Sequence, residues 1–144
     1  TDGSDRAARA IEHGLAFAGV DDVIVHAVSV VDEPTDLGVG MGETASPVRD
    51  DIRDALEERA SGAVAAVASA AAEADLAATT AVRYGHAASE LLEYVDEADI
   101  DLVVMGTQGR TGLSRYLLGS TTERVVRHAP VPVVAVPAGE DAAD

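Results

Sequence analysis

The sequence contains no cysteine and no tryptophan, and its only aromatic residues are three tyrosines and one phenylalanine. The absence of cysteine excludes disulfides, thiolate catalysis and cysteine-ligated zinc, and it fits a cytoplasmic protein. No apolar run reaches 18 residues and no signal-peptide pattern is present, so we expect no membrane span. For 144 residues we expect a single domain over residues 1–137, followed by a disordered acidic tail over 138–144.

Lysine is also absent, and the ten positively charged residues are all arginines. They are outnumbered by 26 acidic residues, which gives a formal net charge of −16. Such a charge argues against nucleic acid and anionic lipid as partners. It is found in acidic proteins from GC-rich genomes and in proteins adapted to molar salt, where a carboxylate-rich surface stays hydrated and its self-repulsion is screened. We favour the second interpretation, a halophilic protein.

Apolar runs and helical periodicities alternate along the chain. Strands are predicted at 23–31, 76–84, 102–105 and 131–136, and helices at 5–18, 47–74, 89–98 and 120–127. Ser4 or Asp5 is the expected N-cap of the first helix, and Pro47 is the expected first residue of the second, whose apolar face should run from Val48 to Ala71. Residues 32–46 have no periodicity and read as a long loop. Strands separated by helices predict a parallel, three-layer α/β domain.

Two histidines fall at informative places. His26 lies within an apolar strand, and we interpret it as a core histidine rather than a catalytic one. His86 follows Gly85 at a helix start, where we favour a surface cap of the helix over an approach to a ligand.

A glycine-rich loop follows the strand that ends at Met105. Gly106, Gly109 and Gly112 are followed by Gly119-Ser120, where a helix begins, and Ser120 is the expected N-cap. Glycines allow backbone N–H groups to approach an anion, and a helix start adds free donors, so the pattern indicates a phosphate site. It is neither a Walker A loop, since the first glycine of that motif would fall on Val104 and Arg110 would replace its lysine, nor the Rossmann fingerprint.

The spacing G-x2-G-x9-G-S over Gly106, Gly109, Gly119 and Ser120 resembles the ATP-binding branch of the universal stress protein family. Thr1 to Ser4, the Val-His strand, Gly85 and the closing 129–136 segment match in the same order. The resemblance implies an open five-stranded parallel sheet of order 3-2-1-4-5, of the adenine nucleotide alpha hydrolase type. Family members begin with a central strand that ends in the Thr-Asp-Gly-Ser turn, and we expect that strand to precede Thr1.

The resemblance also implies the nucleotide contacts. Asp2 and the backbone of Ala27 would recognise adenine, and Met105 and Gly106 would lie along the ribose. The phosphates would be wrapped by Gly109, Arg110 and Thr111 and by Gly119, Ser120 and Thr121. The expected ligand is ATP, with ADP, AMP or a cyclic nucleotide as alternatives. Mg²⁺ or Mn²⁺ would be held by the phosphates and water, because no cluster of protein ligands is apparent.

Three functions are consistent with this pattern. The first is a nucleotide-dependent stress or signalling module, which we favour. The second is a slow ATPase, for which Gln108 is a weak candidate to orient water; no other catalytic residue is evident. The third is a dimeric scaffold without nucleotide. A homodimer is expected through the edge strand Val131–Val136.

The charge predicts that stability depends on salt. Lowering KCl from molar to millimolar concentration should decrease the midpoint of thermal unfolding, because carboxylate repulsion is then unscreened. Circular dichroism melts across a KCl series measure this, and a midpoint that stays constant down to desalted buffer would contradict halophilic adaptation.

Overall fold

A computed structural model describes residues 1–19, 22–32, 47–108 and 117–139 of the chain. The predicted loop over 32–46 therefore lies outside the described residues except for Asp32, as do Gly109, Arg110, Thr111 and residues 140–144 of the predicted tail. The described elements alternate along the chain as α1 (Asp5–Phe17), β1 (Ile24–Val31), α2 (Pro47–Glu73), β2 (Ala77–Tyr84), α3 (Ala87–Glu97), β3 (Val103–Gly106), α4 (Ser120–His128) and β4 (Val133–Val136). This order confirms the predicted α/β class.

The four strands form two parallel pairs. β1 pairs with β2, in a register that sets Ile24 opposite Ala77 and Val31 opposite Tyr84. β3 pairs with β4, from Val103 opposite Val133 to Gly106 opposite Val136. If the strand expected before Thr1 is counted as strand 1, β1 and β2 correspond to strands 2 and 3, and β3 and β4 to strands 4 and 5. Both observed pairs are therefore neighbours in the predicted order 3-2-1-4-5, while the full five-stranded order remains a prediction. β4 is two residues shorter than the predicted strand, because Val131 and Pro132 precede the ladder.

Helices cover both faces of the β1–β2 pair. Ala27 of β1 is buried with Val64 and Val67 of α2, and Val25 packs against the same cluster. Because alternate residues of a strand point to opposite faces, His26 points the other way. Its Nδ1 lies 2.8 Å from the hydroxyl oxygen of Tyr94 in α3. The hydrogen bond and the half-buried position confirm that His26 is part of the packed interior.

α2 departs from the expected apolar face. Its buried residues begin at Ala60 and end at Ala71, whereas the side chains of Val48 and Ile52 are 63% and 52% exposed. The reason is length: 27 residues of helix extend about 40 Å, but strands of eight residues cover only about 26 Å. The prediction of one continuous buried face was therefore wrong for the first half of α2, which extends past the sheet.

Two sets of contacts fix α3 relative to the sheet. Arg83 of β2 donates to Glu90 and Glu97 of α3, at 3.0 and 2.8 Å. The bonds to Glu97 and then Glu90 raise the pKa of Arg83, so it stays charged at any pH at which the protein folds. Gly85 N–H donates to the carbonyl of Val31 at 3.0 Å, which joins the end of β2 to the end of β1. The start of α3 is thereby held at the carboxyl edge of the strands.

Gly85 should be among the glycines that resist substitution. Its φ is +133°, and a Cβ would lie 3.1 Å from Glu90 Oε1, so Gly85→Ala should lower the free energy of unfolding by about 1–3 kcal/mol. Gly62→Ala is the matched control: Gly62 lies inside α2 with no atom within 4 Å of an added Cβ, so stability should rise by about 0.5–1 kcal/mol. Urea unfolding at fixed KCl measures the free energy of unfolding of both variants. The same change in stability for Gly85→Ala and Gly62→Ala would contradict the prediction.

Candidate functional site

The two ends of the glycine-rich loop are tied together. Gly119 N–H donates to the carbonyl of Thr107 at 2.7 Å. Next to this bond, the side-chain amide of Gln108 donates to the carbonyl of Leu117 at 3.1 Å. Gln108 is buried, and its amide joins the two described ends of the loop. α4 therefore begins directly beside the carboxyl end of β3.

The same tether explains where α4 begins. Gly119 has extended backbone angles and is the N-cap, and its carbonyl accepts the N–H of Glu123 at 2.9 Å. The prediction that Ser120 is the N-cap was wrong. The hydrogen bond from Gly119 to Thr107 holds Gly119 in an extended conformation, so Gly119 is the N-cap and Ser120 is the first helical residue. Gly119 has no side chain to cap the helix, which leaves the first-turn N–H groups without a side-chain acceptor there.

A buried threonine locks the first turn of α4 onto the strand. The hydroxyl of Thr122 donates to the carbonyl of Gly106 at 2.8 Å. Gly106 ends β3 opposite Val136, and Thr122 is 3% exposed. The predicted site residues Met105, Gly106, Gly119, Ser120 and Thr121 are thus brought into one continuous region.

The predicted adenine contacts lie near β1. The nitrogen of Thr1 donates to the carbonyl of Val28 at 2.7 Å, which places Asp2 beside the strand that contains Ala27. One carboxylate oxygen of Asp2 accepts the backbone N–H of Ser4 at 2.9 Å and its hydroxyl at 2.5 Å. Ser4 in turn accepts the N–H of Ala7 and caps α1, as predicted. The side chain of Ala27 faces the core, so any ligand contact there would use its backbone, as the family resemblance implies.

An open cavity of about 570 Å³ lies at the carboxyl edge of the strands. It is lined by the residue after β1, by the start of α3 and by the first turns of α4, namely Asp32, Gly85, His86, Ala87, Ala88, Ser120, Thr121 and Arg124. The volume is in the range of small-molecule sites. Two hydroxyls, an imidazole and a guanidinium offer hydrogen-bond donors, which suits an anionic ligand.

Sequence reasoning missed Arg124 altogether, and for His86 it favoured a surface cap over an approach to a ligand. His86 occupies the N-cap position of α3, but its side chain makes no capping bond; it lines the cavity instead. Arg124 lies four residues after Ser120, and residues at this spacing share a helix face. That spacing is the signal that could have identified it.

Other classes of site are not supported by the described part of the chain. It holds no group of three or more acidic or histidine side chains that could bind a metal ion. No helix within it is long and apolar enough to cross a membrane.

The fold is that of a known family. The family model described as "Universal stress protein family" matches residues 1–137. The chain is 37% identical over 136 residues to universal stress protein MJ0531 of Methanocaldococcus jannaschii, a match that covers 94% of this chain and 78% of that protein. The chain therefore belongs to the universal stress protein family.

Solved structures of other proteins have the same fold. The structure of MJ0577, also from M. jannaschii, matches with a TM-score of 0.79 and 25% identity, covering 94% of this chain and 90% of that one. UspA of Lactobacillus plantarum matches with a TM-score of 0.74 and 26% identity, covering 94% and 92%. More distant members that share the fold were solved with cAMP (24% identity, TM-score 0.58) and, in an Arabidopsis thaliana protein, with AMP (18% identity, TM-score 0.67).

Thr122 should contribute measurably to stability. Thr122→Val keeps the shape of the side chain but leaves the Gly106 carbonyl without this donor, so the free energy of unfolding should fall by about 1–2 kcal/mol. Thr79→Val makes the same chemical change on an exposed position of β2 and should shift stability by less than about 0.5 kcal/mol. Urea unfolding distinguishes them, and equal losses would show that the Thr122 bond is not a structural tether.

Proposed function

We propose that this protein is an adenine-nucleotide-binding universal stress protein, in which ATP acts as the signal of a stress-response module. The observation that carries the proposal is the tether of α4 to the end of β3, through Gly119 and Thr107 and through Thr122 and Gly106. It presents a helix start and two hydroxyls, those of Ser120 and Thr121, at the rim of a nucleotide-sized cavity. Helix starts of this kind bind phosphate.

The chemistry of the site fits a nucleotide. Asp2 keeps a carboxylate near β1, where an adenine amino group would donate to it, while the donors of the cavity lie by the first turn of α4. Gly109, Arg110 and Thr111 enter the proposal through the family motif, and Mg²⁺ or Mn²⁺ would be held by the phosphates and water. The AMP and cAMP complexes of more distant members support an adenine nucleotide in this fold.

Binding is favoured over hydrolysis by the position of Gln108. Hydrolysis requires a group that orients water at the terminal phosphate. Gln108 was the residue considered for that task, but it is buried and its amide donates to Leu117. Its contacts are those of a loop support.

Dimerisation is proposed through the edge of β4. Within the described residues β4 pairs only with β3, which leaves its other edge available to a second copy of the strand. The dimer expected from the sequence remains a proposal, and sedimentation of the protein at micromolar concentration in molar KCl tests it.

Calorimetric titration tests the nucleotide proposal. ATP with Mg²⁺, ADP, AMP and cyclic AMP are titrated into protein in molar KCl, and we expect saturable binding of one adenine nucleotide per chain. Gly109→Val should abolish it, because a side chain blocks the close approach of backbone to phosphate. Ser120→Ala should weaken it by roughly three- to tenfold through the loss of one hydroxyl. Gly62→Ala, at an exposed position of α2 with open space around it, should bind as wild type.

The possible outcomes are distinct. Binding that Gly109→Val abolishes, while circular dichroism shows that the variant is folded, supports the nucleotide module. No binding of any of the four nucleotides by folded wild-type protein would contradict it and would favour the dimeric scaffold.

A further inference from the structure

The cavity between α3 and α4 extends beyond the residues that the family motif assigns to the nucleotide. Ser120 and Thr121 form one wall, and the opposite wall comes from the turn between β2 and α3, with His86 and two alanines. Both walls are held by hydrogen bonds to strand ends, since Gly85 binds the carbonyl of Val31 and Gly119 binds that of Thr107. The cavity is therefore part of the fixed framework of the domain.

Arg124 is the arginine that lines this cavity. Within the described residues its guanidinium makes no hydrogen bond or ion pair, although acidic residues outnumber basic ones 26 to 10 in the chain. Arg127, one turn further along α4, is paired with Glu123 at 2.9 Å. Arg83 is bound by three glutamates. Arg124 faces the cavity instead.

The charge balance of the lining depends on this one side chain. Asp32 is the acidic member of the lining, and its carboxylate opposes the entry of an anion. At neutral pH, Arg124 supplies the permanent positive charge, and His86 adds a ring nitrogen that can donate a hydrogen bond. Without Arg124 the permanent charge of the lining would be that of Asp32 alone.

The position of Arg124 along α4 indicates which part of a nucleotide it meets. Ser120 and Thr121 lie at the helix start, and Arg124 lies about 6 Å further along the axis, one turn away from the end of β3. The ribose is expected beside Met105 and Gly106 on that strand. A phosphate chain that runs from the ribose past Ser120 therefore leads into the cavity towards Arg124 and His86.

We propose that Arg124, with His86 opposite, forms the subsite for the phosphates beyond the α-phosphate, so that Arg124 selects nucleoside di- and triphosphates over the monophosphate. The inference rests on the proposed function and deepens it. A guanidinium suits this task because it binds phosphate oxygens bidentately and stays charged.

The test compares Arg124→Gln and Arg124→Lys with Arg127→Gln. Both arginines are exposed, but Arg127 does not line the cavity, so its substitution removes the same charge from the same helix outside the proposed subsite. Calorimetry with ATP, ADP and AMP in molar KCl should show that Arg124→Gln weakens ATP binding by about 10- to 100-fold. ADP binding should also weaken, AMP binding should change by less than about threefold, and Arg124→Lys should recover part of the ATP affinity. Arg127→Gln should bind all three nucleotides as wild type.

Inorganic tripolyphosphate provides a second probe, because it carries the phosphates without adenosine. It should displace ATP from the wild-type protein and from Arg127→Gln at much lower concentration than from Arg124→Gln. Equal losses of AMP and ATP affinity in Arg124→Gln, or unchanged ATP affinity, would overturn the inference while leaving the proposed function in place. Wild-type protein that binds no nucleotide would overturn both.

Discussion

The functional end of this protein depends on the attachment of α4 to the end of β3. The backbone bond from Gly119 to Thr107 joins the two ends of the glycine-rich loop, and the hydroxyl of Thr122 secures the first helical turn to Gly106. With both contacts in place, the first turn of α4 cannot shift along the strand without breaking a short or buried hydrogen bond. The direction of the helix dipole and the positions of Ser120 and Arg124 follow from this attachment.

The second wall of the cavity, at the start of α3, is also held by hydrogen bonds to strand residues, in this case those of β1 and β2. Gly85 binds the carbonyl of Val31, and Arg83 binds two glutamates of α3 at 3.0 Å or less. In parallel sheets the carboxyl ends of strands lie along one edge, and the loops that follow them face each other there. Because each helix is attached to its own strand end, His86 and Arg124 face the same cavity although they are far apart in sequence.

Local signals in the sequence were sufficient for the helices and strands and for several of their ends. For the site, they singled out Gly106, Gly119 and Ser120, which the structure brings into one region. Ser4 as N-cap and Pro47 as the first residue of α2 both follow from local sequence preferences, and the structure confirms them. The failures come from tertiary constraints. The first half of α2 is exposed because the sheet is shorter than the helix, and Ser120 is not the N-cap because a bond to Thr107 fixes Gly119 first. The roles of Gln108, His86 and Arg124 depend on what faces them, which one sequence without its fold does not specify.

Under the proposed function, the arrangement gives a way for occupancy of the cavity to act as a signal. α3 is attached to the β1–β2 pair and α4 to β3, and the two helices meet across the cavity. A ligand that contacts both His86 and Arg124 would connect elements that the described backbone holds through different strands. Its binding free energy would then favour the arrangement in which the two helix starts are closest, because a ligand stabilises the conformation that it binds best.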